Sequence, residues 1–124
     1  MNTLTRLFVR FRYPVSLPED VANALGISIS NWISFETMLK QLSHPNSPPK
    51  YLAKYMPRAE AEEPFHQAPK KEHFCRTSLF SFYFNEGWLA FKLQFDEADR
   101  LRRLFVQHPS IPHPDGIEIP LSKN

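Results

Sequence analysis

The chain has 124 residues and a formal net charge of +2, from 15 Lys and Arg against 13 Asp and Glu. That length is one domain, and that charge is too small for a general polyanion-binding tail. No apolar run reaches the roughly 18 residues of a membrane helix, and the single cysteine, Cys75, excludes an internal disulfide framework and a multi-cysteine zinc site.

The first element in chain order is a strand over residues 4–13. Leu7, Val9, Phe11 and Tyr13 alternate with Arg6, Phe8, Arg10 and Arg12, the period of a half-buried strand, and Pro14 ends it. A short helix follows, with Ser16 to Glu19 as a capping box, Val21, Ala22 and Leu25 as its apolar stripe and Gly26 as its stop. Phe35, Met38, Leu39 and Leu42 predict a second helix, from 31 or 34 to 43. After a proline-rich loop, residues 50–56 read as a short helical segment with Tyr51, Leu52, Tyr55 and Met56 turned inward. Residues 57–73 carry charge and proline with little to bury, so they read as the most exposed stretch.

The second half reads as an antiparallel meander over 76–84, 88–95 and 101–108. Asn85-Glu86-Gly87 is taken as a three-residue turn and 96–99 as a polar four-residue loop. The fold class is therefore α+β. An N-terminal strand and two to three short helices precede a three-stranded antiparallel meander, with the helices on one face of the sheet. Residues 1–108 form the domain, and 109–124 a proline-rich tail with a short edge strand at 117–119.

Turn geometry sets the register, and with it the two faces. A three-residue first turn pairs Phe84 with Trp88. With Phe95 opposite Arg100 across the second loop, Leu79, Ser81, Tyr83, Leu89, Phe91, Leu93, Phe95, Leu104 and Val106 fall on the core face. Phe80, Phe82, Phe84, Trp88, Ala90, Lys92, Leu101, Arg103 and Phe105 then form the opposite face, joined by Arg6, Phe8 and Arg10 if the first strand pairs beside them. That face is too aromatic for an ordinary solvated one. It is either covered within the chain, a protein interface, or a base-stacking surface for single-stranded RNA.

Catalytic and metal patterns are weak. His66, His73 and Cys75 match no zinc spacing, and His108, His113 and Asp115 form a similarly loose group. Cys75 has a neighbouring histidine, but nothing in the sequence marks an oriented base or an oxyanion hole, so a buried, inert thiol is expected. Asp96, Glu97 and Asp99 suit a turn. The three glycines cannot build a phosphate-binding loop.

The expected function is a non-catalytic protein-interaction module: an adaptor, assembly factor or small regulatory subunit. It would be cytoplasmic, without cofactor, metal or membrane insertion. The expected contact residues are Phe80, Phe82, Phe84, Trp88, Lys92, Arg103, Phe105, Arg6, Phe8 and Arg10. The partner is a protein, a second copy of the chain included. Single-stranded RNA on the same face is the alternative, and a small enzyme using Cys75 or the histidines is the third reading.

Overall fold

The computed structural model describes residues 18–26, 49–84, 87–109, 111 and 114–122. The expected strand over 4–13, with Arg6, Phe8 and Arg10, lies outside these residues, as does the expected second helix. Within them the chain is α+β with an open antiparallel sheet.

Helix α1 spans Pro18–Leu25 and buries Val21, Ala22 and Leu25. Gly26 ends it with φ +72, a left-handed conformation that favours glycine. The amides of Lys50 and Tyr51 donate to the carbonyls of Gly26 (3.2 Å) and Leu25 (3.4 Å), which gives partners to two carbonyls at the helix end. A second helix, α2, spans Arg58–Glu62 after Pro57 and runs into a 3-10 turn over Glu63–Phe65. Among the described residues no helix is long and apolar enough to cross a membrane.

The sheet has five strands in sequential order: β1 (Lys70–His73), β2 (Thr77–Tyr83), β3 (Trp88–Phe95), β4 (Leu101–Gln107) and β5 (Ile117–Ile119). β2, β3 and β4 are the expected meander and β5 falls at the expected edge-strand position, 117–119, whereas β1 is a strand the sequence reading lacks. β1 has no apolar alternation, so nothing in its Lys-Lys-Glu-His sequence marked it as a strand. It is held as an edge by pairing with β2.

The register also differs from expectation. Phe84 and Gly87 exchange main-chain hydrogen bonds of 2.7 and 3.3 Å, so the turn between them has two residues, not three. Tyr83, not Phe84, therefore stands opposite Trp88, and Phe80 stands opposite Phe91. Because side chains alternate faces, that one-residue shift transfers the whole of β2 to the other side. Phe80, Phe82 and Phe84 enter the core at 1%, 5% and 4% exposure. Leu79 and Tyr83 share the second face with Trp88, Ala90 and Lys92.

A bulge acts similarly at the start of β4. Gln94 stands opposite Arg103 and Phe95 opposite Leu101, leaving Arg102 as an extra residue. Leu101 thereby reaches the core and is fully buried, which corrects its assignment to the second face.

The segment over 57–73 is not merely exposed. Ala61, Phe65 and Ala68 are buried, and the Phe65 ring stacks on Phe80 at 4.9 Å and 10°. Burying a phenylalanine this fully is worth about 2–3 kcal/mol. Residues 50–56 form no helix. They cross the end of the sheet, where Lys54 donates to the Ser122 carbonyl (2.9 Å) and Tyr55 to the Leu101 carbonyl (2.6 Å).

Candidate functional site

The ten residues expected to form one contact surface do not share a face. Phe80, Phe82 and Phe84 line the core with Phe65 and Phe91. Trp88, Lys92, Arg103 and Phe105 belong to the opposite side of the sheet. There Phe105 is only 8% exposed. Trp88 lies half-buried beside His108, with ring centroids 6.2 Å apart. Lys92 Nζ is 3.1 Å from Asp115 Oδ1 in the turn before β5. Gly116 in that turn has φ +89, and a Cβ there would collide with the Val106 carbonyl. Arg103 alone of these four is exposed. Arg6, Phe8 and Arg10 lie outside the described residues.

Comparison with protein-family models, with curated proteins and with solved structures finds no match to this chain. Its own geometry is therefore what speaks for function.

The most developed polar constellation joins α2 to the β1–β2 hairpin. Arg58 Nη1 donates to the Cys75 carbonyl (2.9 Å), and Nη2 donates to the Phe74 carbonyl (2.8 Å) and Ser78 Oγ (3.0 Å). Glu62 Oε2 accepts from Ser78 Oγ and faces Arg58 Nε (3.4 Å) and His73 Nδ1 (3.3 Å). Ser, His and Glu in contact invite comparison with a nucleophile and its base. A working relay uses opposite ring nitrogens for the carboxylate and the hydroxyl. Here one nitrogen, His73 Nδ1, faces both Glu62 and, at 3.5 Å, Ser78 Oγ. Ser78 is fully buried, with its hydroxyl directed at Glu62. The cluster fastens a helix to a hairpin.

Of the histidine and acidic groups named above, His113 lies outside the described residues, and His66 and Asp96 have local partners. His66 Nδ1 lies 2.9 Å from the Glu63 carbonyl oxygen, one turn back. Asp96 Oδ1 accepts from the amides of Ala98 (2.9 Å) and Arg100 (3.0 Å), which is the turn role expected of it. Among the described residues no group of three or more His, Cys, Asp or Glu is placed to hold a metal ion. Cys75 is exposed, which corrects the expectation of a buried thiol. Its place at the hairpin tip, where Arg58 holds its carbonyl, keeps it out of the core.

Three large apolar side chains stand exposed among the described residues: Tyr51 at 59%, Phe74 at 54% and Tyr55 at 52%. Two of them lie on the segment that crosses the sheet end, and both were expected to point inward. The helical spacing that suggested this fails because the main chain of 50–56 is committed elsewhere, to α1, to Ser122 and to Leu101. Leu52 alone of this segment is fully buried.

Tyr55 has φ +71. For a non-glycine residue this left-handed conformation costs about 1–2 kcal/mol. It persists because the Tyr55 amide is bonded to Leu101, the Met56 carbonyl accepts from the Leu101 amide (2.8 Å), and Lys54 is tied to Ser122. Lys54 Nζ sits 5.6 Å from the Tyr55 ring centroid, within cation–π range. The fold thus presents a tyrosine on a main chain fixed from both sides.

Proposed function

We propose that the protein is a non-catalytic interaction module that binds a protein partner through the exposed aromatic segment Tyr51–Tyr55. The observation that carries this reading is Tyr55 itself. A bulky residue is held at positive φ with its ring half out of the fold. Strain of this kind is kept where the surrounding structure over-determines it, and such places concentrate at functional positions. Tyrosines on a fixed main chain are effective anchors, since little side-chain freedom is lost on contact. Lys50 and Lys54 flank them and give the partner's contact region an acidic preference.

This surface replaces the sheet face expected from sequence, whose central aromatic residues are in the core. The same burial weakens the RNA reading, because Phe82 and Phe84 are not available for bases to stack on. A cytoplasmic location fits a single cysteine displayed as a free, exposed thiol, a state suited to reducing conditions.

The test is affinity capture from native lysate, with nuclease treatment, using the wild type and the Tyr51→Ser, Tyr55→Asn double variant. One stoichiometric protein, recovered by the wild type and lost by the variant, is the expected result. Equal recovery by a folded double variant would remove this surface from the reading. A nuclease-sensitive product whose binding falls steeply with salt would return the RNA alternative.

A further inference from the structure

Among the described residues, no strand lies beside the outer edge of β1. Phe74 donates to the Thr77 carbonyl (2.8 Å) and closes the β1–β2 hairpin. Counting back from that bonded pair, Glu72 and Lys70 direct their main-chain groups at Leu79 and Ser81 of β2. Lys71 and His73 therefore direct theirs away from the sheet, and neither has a main-chain partner among the described residues. Such a row of unpaired N–H and C=O groups is a template for another strand.

The side chains narrow what could take it. Lys70 Nζ is 3.7 Å from Glu72 Oε1, so that pair is internally neutral. His73 is engaged by Glu62. Lys71 is exposed and has no carboxylate within ion-pair range among the described residues. Phe74, next in the chain, offers an exposed ring on the face that Lys70 and Glu72 share.

We propose that the β1 edge takes up an extended, acidic segment of a protein partner by strand addition. The segment alternates, with a carboxylate opposite Lys71 on one face and an apolar side chain toward Phe74 on the other. Main-chain bonds to Lys71 and His73 give affinity, and the alternating side chains give selectivity. The chain's own strand-like segment over 4–13 carries Arg6, Arg10 and Arg12 and no acid, so its charge is wrong for this edge. In a second copy of β1 the one carboxylate, Glu72, is already paired with Lys70, so the copy offers no acid to Lys71. This edge shares with the preceding reading only the premise that the chain binds protein, and it does not depend on Tyr51 or Tyr55.

The experiment uses the full chain and an end-blocked eight-residue peptide alternating glutamate with valine. A lysine–valine peptide is the control. Amide hydrogen exchange is followed residue by residue. The glutamate peptide is expected to slow exchange at Lys71 and His73 by about tenfold or more, and the lysine peptide to leave both unchanged. Lys71→Pro removes an outward N–H without removing a β1–β2 bond, so it should abolish the effect while the hairpin stays protected. Tyr51→Ser with Tyr55→Asn should leave the peptide effect intact, so failure here is separable from failure of the tyrosine surface. Unchanged exchange at Lys71 and His73 with the glutamate peptide, or equal slowing by both peptides, overturns the proposal on wild-type protein alone.

Discussion

The Arg58 guanidinium lies 4.6 Å over the Phe95 ring while its Nη2 donates to Ser78 Oγ at 3.0 Å. One side chain thus ties α2 to the hairpin tip and covers the end of the core. Arg58→Ala leaves the Phe74 and Cys75 carbonyls and the Glu62 carboxylate without their cation. The expected loss is about 2–3 kcal/mol, from hydrogen bonds that involve a charged group. Arg58→Lys should recover only a minor part, because an ammonium lacks the planar fork that reaches several acceptors at once. Urea denaturation of the three proteins checks both statements.

Phe80 and Phe74 make a second contrast. Phe80 is buried and stacked on Phe65, so Phe80→Ala should cost about 3–5 kcal/mol. Phe74 is 54% exposed, so Phe74→Ala should change stability by about 0.5 kcal/mol or less. Similar losses from both would place Phe74 in the core or Phe80 outside it.

Tyr55 should trade stability for binding. Relief of the left-handed strain is worth about 1–2 kcal/mol in a residue that tolerates positive φ, and the exposed Lys54 contact that is lost is worth about 0.5 kcal/mol. Tyr55→Asn should therefore melt at the same temperature as the wild type or higher while binding its partner less well. Thermal melts beside capture measure the two effects, and a clear fall in melting temperature would contradict the strain argument.

His108 predicts a pH dependence. Burial beside Trp88 holds its pKa below the ordinary 6.5. The unfolded chain then takes up a proton near pH 6.5 that the folded chain takes up only at lower pH. The stabilising contribution is complete above that value and is lost as pH falls through it toward the folded pKa. Denaturation at pH 7.5 and 5.5 should show a loss for the wild type that exceeds the loss for His108→Asn.

The parts of the fold legible in the sequence are those that local chemistry decides. Alternation over 88–95 and 101–107 marks β3 and β4, and Gly26 stops α1 where its left-handed φ is needed. Which way β2 faces was not legible, because Asn85-Glu86-Gly87 is compatible with either a two- or a three-residue turn. The choice belongs to the Phe84–Gly87 pairing and to Phe65 stacking on Phe80. Tyr51 and Tyr55 misled for a related reason. Their spacing suits a helix, whereas their main-chain groups are claimed by distant partners, Leu25 and Leu101. β1 carried no signal at all, since an edge strand of charged residues has no buried face to show.

The most direct test of the central claim is photo-crosslinking in native, nuclease-treated lysate, with a benzophenone amino acid in place of Tyr55 and, as a control, of Phe82. Position 55 should join to one protein partner in a single dominant adduct. Position 82, only 5% exposed, should join within the chain alone. Adducts to a partner from position 82 and none from position 55 would contradict the account.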